Sequence, residues 1–310
     1  MLRDKDLVSI QEARAKVEKA YAAFQNFRSF TQEQVDAIVD RLAAVAHANA
    51  ERLARLAVEE TGYGNVPDKT AKNLLCSDTL HQAIRPLKTV GIIREDPAQK
   101  IIEIAEPVGV VAAILPTTNP TSTAIFKILI ALKGRNTIVL SPHPRAVKCT
   151  CETAALLYQA AREAGAPEDV IQCLDNPTLD ATNEIMRHRR TGVILSTGGQ
   201  GIVRAAYSSG KPALGVGPGN VPVLLERSAD VARAVRLVVQ GKSFDYVTVC
   251  SSEQALVAEE SAREQVLREF QANQAHLCDA AQTAALARLL ITPDFRVNAA
   301  CVGQSALKIA

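Results

Sequence analysis

Val108-Gly-Val-Val-Ala-Ala-Ile-Leu115-Pro116-Thr117-Thr118-Asn119-Pro120-Thr121 is an apolar run that stops at a proline and turns polar. Its eight aliphatic and glycine residues have the length of one strand and carry no charge, as a strand buried on both faces requires. A helical pattern follows over residues 122–132. Working outward, the alternation repeats: strand 137–140, helix 149–164, strand 170–173, helix 179–186, strand 192–195. Strands separated by helices of this length pair in parallel through right-handed crossovers.

The fold class is therefore α/β, with an open parallel sheet of Rossmann type, and ligands in such sheets bind beyond the carboxyl ends of the strands. Upstream, residues 9–57 repeat apolar positions at three- and four-residue spacing. Thr31 and Gln34 form a capping-box pattern that opens a second helix over 35–48. The turn residues of 61–65 break this helical region. Two short β-branched runs flank a polar turn over 90–105, which reads as a hairpin. A new unit begins near Gly241. The expected organisation is a nucleotide-binding domain over 1–240 and a second domain over 241–310.

Composition narrows the function classes. The chain has 310 residues, 35 Lys plus Arg against 33 Asp plus Glu, and a net charge of +2. That balance gives no electrostatic reason to expect a nucleic-acid partner. No apolar run approaches the ~18 residues that cross a bilayer, and the charged N-terminus lacks the apolar block of a signal peptide. The seven cysteines are odd in number and scattered, not a disulfide framework. A reduced, cytoplasmic protein is expected, with no membrane association.

Three loops and one cysteine can carry chemistry. Asn119 sits between Thr118 and Pro120, where the proline biases its backbone to an extended form. Its amide is either a donor for a developing oxyanion or a cap on the helix that follows. Ser196-Thr-Gly-Gly-Gln-Gly201 joins a strand to a helix, and its glycines would let backbone amides approach a pyrophosphate. Alternatively it is a tight connection and nothing more. Gly215-Val-Gly-Pro-Gly-Asn220 is again glycine-rich, as a backbone must be where it approaches a ligand or a neighbouring segment. Cys250 alone among the cysteines ends an apolar, strand-like run and is followed by small polar residues, the setting of a nucleophile or of inert packing. Cys149 and Cys151 have no further ligand at zinc-like spacing, so no metal is expected. The five histidines form no triad with Cys250.

In this order the motifs resemble the aldehyde dehydrogenase superfamily, and within it the CoA-acylating branch, closest to the acetaldehyde dehydrogenase half of bifunctional aldehyde–alcohol dehydrogenases. The residues that carry the resemblance are Ile104-Ala-Glu-Pro-Val-Gly-Val-Val, Leu115-Pro-Thr-Thr-Asn-Pro-Thr-Ser-Thr-Ala-Ile-Phe-Lys127, Ser141-Pro-His-Pro-Arg145, Thr197-Gly-Gly-Gln-Gly201, Ala205-Ala-Tyr-Ser-Ser-Gly-Lys-Pro-Ala213, Gly215-Val-Gly-Pro-Gly-Asn220 and Cys250-Ser-Ser-Glu-Gln254. The resemblance implies an NAD-dependent oxidoreductase that converts an aldehyde and CoA to acyl-CoA, acetaldehyde first among the aldehydes. It implies Cys250 as nucleophile and Asn119 as oxyanion donor. Pro116, Thr117, Thr118, Ser141, His143, Gly198, Gly199, Gly201 and Gly217 would line the NAD site. It implies a homo-oligomer whose arm is the 90–105 hairpin, in the cytoplasm or in a bacterial microcompartment. Hydrolytic relatives place a glutamate where this chain has Gly215 to Asn220. Without that base, the CoA thiol intercepts the thioester faster than water.

Two departures stand against the pattern. Tyr246-Val247 replaces the Asn-Gly common in this branch, which bears on the aldehyde pocket and on the presentation of Cys250. Family members also continue beyond Ala310, so a truncated catalytic domain with little turnover is expected. The alternatives are an acylating dehydrogenase for sulfoacetaldehyde or another short aldehyde, and an inactive fragment that serves only in assembly.

Overall fold

The computed structural model describes residues 4–310. The chain opens with three helices: α1 (Lys5–Phe27), α2 (Gln32–Ala48) and α3 (Ala50–Thr61). The Asp4 carboxylate accepts from the first free amides of α1, and Thr31 with Gln34 closes the expected capping box on α2. Next come α4 (Val66–Leu74), a π-helical turn over Leu75–Leu80 and the single turn α5 (His81–Ile84). Strands β1 (Gly91–Asp96) and β2 (Ile101–Ala105) pair antiparallel as the expected hairpin, with a bulge between Ile92 and Arg94.

The alternation then proceeds as β3 (Val110–Ile114), α6 (Pro120–Lys133), β4 (Thr137–Ser141), α7 (Val147–Glu163), β5 (Ile171–Cys173), α8 (Leu179–Arg187), β6 (Thr191–Thr197), α9 (Gln200–Tyr207) and β7 (Ala213–Val216). All five strands β3–β7 are parallel, in the order β5-β4-β3-β6-β7. Every residue of β3 and of β4 is buried, which is why neither shows polar alternation. The period of two divides β3 between two cores. Val110, Ala112 and Ile114 pack with α1 and α8, whereas Val111 and Ala113 pack with α2, α6 and α7.

The chain divides into two compact units. One holds the residues up to Thr61 and Lys69–Gly217, the other Gly62–Asp68 and Pro218–Ala310. The second unit contains β8 (Val221–Leu225), α10 (Val231–Ser243), β9 (Glu253–Ala258), α11 (Arg263–Ala272), α12 (Ala280–Leu290) and α13 (Ala306–Ile309). Here β8 and β9 pair in parallel across the α10 crossover, around a small core of Leu225, Val235 and Val266. Residues 218–240 therefore lie in the second unit, not with the first as the sequence division at 240 placed them. Gly241, near which the sequence places the start of a new unit, lies inside α10. A Cβ there would sit 2.3 Å from the Glu253 carboxylate, so it marks a close approach and not a boundary. Among the described residues, no helix is long and apolar enough to cross a membrane.

Candidate active site

In the first unit the sheet is parallel, so the loops after β3, β4, β6 and β7 leave from one edge. That edge gathers every expected NAD-site residue, together with Asn119. Pro116 and Thr117 are buried in the loop after β3, and Thr118 is partly buried. Ser141 ends β4, fully buried, with its hydroxyl 2.8 Å from the Thr182 hydroxyl. His143 is exposed, its Nδ1 accepting from the Arg145 backbone amide. Gly198 donates its backbone N–H to the Val216 carbonyl, and Gly199 occupies the N-cap of α9 without any side-chain cap. A Cβ at Gly199, Gly201 or Gly217 would meet nothing within 4 Å, so the space beside these glycines is open.

Asn119 stands at the N-cap position of α6, yet its side chain makes no capping bond. The helix-cap alternative is thereby excluded. Its Oδ1 instead accepts from the Lys72 ammonium at 2.6 Å, and its Nδ2 donates to the Thr118 hydroxyl at 3.1 Å. Two neighbours on α4 hold the same loop. Lys69 Nζ donates to the Thr118 carbonyl at 2.8 Å, and Asn73 Oδ1 accepts from the Thr121 hydroxyl at 2.9 Å. All three α4 side chains are buried. Behind the loop, the Lys127 ammonium, 1% exposed, donates to the Ile114 and Leu195 carbonyls at the ends of β3 and β6. Burial pushes the Lys127 amine down to about 7.

In the second unit, Cys250 is the exposed cysteine among the described residues; the other six are buried or partly so. Burial raises the Cys76 thiol to about 11 and Cys149 further, and the Cys151 thiol 3.2 Å away together with burial raises Cys173. These thiols are thereby held protonated and unreactive. Cys250 follows a short 3₁₀ turn, Phe244–Val247, in which Asp245, Tyr246 and Val247 have φ of 47°, 49° and 66°. The fully buried Asp245 carboxylate anchors that turn. Its Oδ1 accepts from the Asn65 amide at 2.9 Å and its Oδ2 from the Thr248 hydroxyl, while its own backbone N–H donates to Asp68 at 2.7 Å. Gly64 makes room for it, since a Cβ there would fall 1.8 Å from Asp245 Oδ1. On the other side, a Cβ at Gly219 would meet the Cys250 carbonyl at 2.2 Å. Two of the glycines read as places of close approach thus face a named partner: Gly219 the Cys250 backbone, and Gly215 the Tyr207 ring.

Lys69, Lys72, Asn73 and Asp245 are the residues that sequence reasoning passed over. Asp68-Lys-Thr-Ala-Lys-Asn73 reads as the solvated face of a helix. The one available signal is that positions 69, 72 and 73 share one side at helical spacing.

A parallel nucleotide-type sheet, a glycine-rich edge and an exposed cysteine on an anchored turn define a class of protein. The aldehyde dehydrogenase family model matches residues 6–283, and the chain belongs to that family. It is 46% identical over 305 residues to the bifunctional aldehyde-alcohol dehydrogenase AdhE of Escherichia coli K12, covering 98% of this chain and 34% of that protein. The chain thus spans about a third of the length of that curated relative. An acetylating aldehyde dehydrogenase from Geobacillus thermoglucosidasius superposes with a TM-score of 0.96 at 52% identity, over 100% of this chain and 68% of that one. A Rhodopseudomonas palustris propionaldehyde dehydrogenase, solved with bound CoA and an acylated cysteine, gives a TM-score of 0.86 at 31% identity, over 96% of this chain and 68% of that one.

Proposed function

We propose that the chain carries the nucleophile and the oxyanion donor of an NAD-dependent, CoA-acylating aldehyde dehydrogenase, with acetaldehyde as the first candidate substrate. The observation that carries this reading is Cys250, the exposed cysteine after an anchored turn in a chain where the other six are buried or partly buried. The residues of the sheet edge fit NAD. Open space in front of Gly199, Gly201 and Gly217, an α9 N-terminus without a side-chain cap, and the buried Ser196 hydroxyl without a hydrogen-bond partner suit a phosphate-bearing ligand. Residues 116–118, Ser141, His143, Gly198, Gly199, Gly201 and Gly217 would hold it. When bound, NAD supplies the hydride acceptor.

The chain's own part begins with Cys250. Its sulfur forms a bond to the aldehyde carbon, and the carbonyl oxygen becomes an oxyanion that the Asn119 amide meets. Loss of the carbon-bound hydrogen as hydride leaves a thioester on Cys250. The stretch Gly215 to Asn220 offers no carboxylate to activate water. The CoA thiolate therefore attacks the thioester carbon, the bond to the Cys250 sulfur breaks, and acyl-CoA departs. The hairpin β1–β2 exposes Ile92, Ile93, Ile101, Ile102 and Ile104, each 40–59% accessible, which suits an arm laid on a second copy of the chain.

The test combines labelling with product analysis. Iodoacetamide should modify Cys250 before the other six cysteines, and Cys250→Ala should abolish acetyl-CoA and NADH formation from acetaldehyde. Light scattering on the same samples reads the oligomer, and a monomer would remove the arm from the reading. Acetate in place of acetyl-CoA as product, or turnover by the Cys250→Ala variant, would overturn the proposal.

A further inference from the structure

Asn119 can stabilise an oxyanion only if its amide points nitrogen-first toward the reacting carbon. An amide rotated by half a turn presents its oxygen there and repels the charge it should meet. Steric shape does not separate the two orientations, because the oxygen and the nitrogen are nearly equal in size. Something with a one-way preference has to choose between them.

We infer that Lys72 is the positioning residue that makes this choice. It acts through Asn119 and does not touch the substrate. An ammonium has three donors and no acceptor, so the Asn119 atom that faces Lys72 Nζ at 2.6 Å must be the oxygen. The nitrogen is thereby turned the other way, and its bond to the Thr118 hydroxyl at 3.1 Å agrees with that orientation. Reversing the amide would set N–H groups against an ammonium and lose a charge-assisted hydrogen bond. The positive charge on the amide oxygen also draws electron density from the nitrogen, which makes its N–H groups stronger donors.

The loop around Asn119 is itself held from the same helix that carries Lys72. Lys69 fixes the Thr118 carbonyl, and Asn73 fixes the Thr121 hydroxyl. Both belong to α4, as does Lys72, and all three are buried. A buried lysine in this position cannot be a solvated helix face.

This inference rests on the oxyanion role proposed for Asn119, and the experiment separates the two. It uses the full protein and two assays: NADH formation from acetaldehyde with CoA, and the burst of p-nitrophenol released as p-nitrophenyl acetate acylates Cys250, which needs neither NAD nor CoA. Removing an oxyanion donor costs roughly 10²–10³ in rate, so Asn119→Ala should lose about that much in both assays. Lys72→Met should lose about tenfold or more in kcat with KM nearly unchanged. In the Asn119→Ala background it should cost almost nothing further. Lys72→Gln, which keeps a neutral donor toward the amide oxygen, should recover part of the loss. It also covers the case in which Lys72→Met fails to fold.

If Asn119→Ala is impaired while Lys72→Met and Lys72→Gln match the parent, or if the losses at positions 72 and 119 simply multiply, Lys72 does not act through Asn119 and the inference falls alone. An Asn119→Ala variant with parental rates would overturn the oxyanion reading and the role of Lys72 together.

Discussion

Around Asn119 the backbone of residues 116–121 keeps ordinary negative φ, and the loop is held from outside by buried side chains, Lys69, Lys72 and Asn73, reaching in from α4. Around Cys250 the means are reversed. Three successive non-glycine residues, Asp245, Tyr246 and Val247, take positive φ, and one buried carboxylate pins the turn from within. A left-handed backbone costs an ordinary residue ~1–2 kcal/mol, so the second loop persists only because its anchor over-determines it. The difference teaches what each group needs. In the proposed roles, the amide must have its two ends told apart, which a charge does, and the thiol must be displayed, which a bend does.

The largest effect should come from attacking the anchor of the strained loop. Gly64 has φ +71°, and a Cβ there would collide with Asp245 Oδ1 at 1.8 Å. Gly64→Ala therefore combines backbone strain with displacement of a fully buried carboxylate from the Asn65 amide and the Thr248 hydroxyl. An expected loss of about 4 kcal/mol follows from adding the left-handed penalty to those broken bonds. It should appear as a lower urea midpoint and as alkylation that spreads from Cys250 to the other cysteines. A variant as stable as the parent would mean that the turn does not depend on Asp245, and the contrast between the loops would disappear.

The two loops also differed in how far the sequence disclosed them. The parallel sheet was readable because β3, and β4 between Thr137 and Ser141, are apolar without a break, and the polar Pro116-to-Thr121 loop ends one of them abruptly. Small polar residues single out Cys250 in the sequence and a proline singles out Asn119, but the strand-like run before Cys250 folds as a 3₁₀ turn. The supports of both were not readable. Lys72 touches Asn119 across 47 positions of sequence, and Asn65 touches Asp245 across 180. No local pattern encodes a contact of that separation. Lys69 and Lys72 also have the residue type that is almost always solvated. The positive φ at Val247 was hidden for a similar reason, since a β-branched residue is the last choice for that conformation. At Gly241 the missing side chain makes room for Glu253, a contact that no local pattern discloses.

A second prediction probes the side-chain-held loop. Lys127 ties the ends of β3 and β6 behind it, and burial lowers its amine from 10.5 to about 7. Below about pH 7 the folded and unfolded chains both carry this proton. Between about 7 and 10.5 the unfolded chain holds a proton that the folded chain has released, so folding becomes more favourable as pH rises through that window. The ceiling is roughly 1.4 kcal/mol per pH unit. Lys127→Met has no proton to release. The parent should therefore gain about 2 kcal/mol relative to that variant between pH 7 and 9, read from paired urea titrations. A gap that stays constant with pH would mean Lys127 remains charged in the fold, held by the two carbonyls.

The smallest effect is the most specific to this chain. Val247 is 42% exposed, so glycine in its place gives up little packing, and it removes the left-handed penalty of a β-branched residue. Glycine also loosens the unfolded chain by ~0.5–1 kcal/mol, which offsets part of the gain. Val247→Gly should then stabilise the protein by somewhat less than about 1 kcal/mol, or about 2 °C in Tm. Asp245 keeps its partners in that variant, so Cys250 should remain the first thiol alkylated. A fall in Tm would show that the Val247 side chain contributes more by contact than its backbone costs in strain. The loop around Cys250 would then be held by packing, much as the loop around Asn119 is held by its lysines.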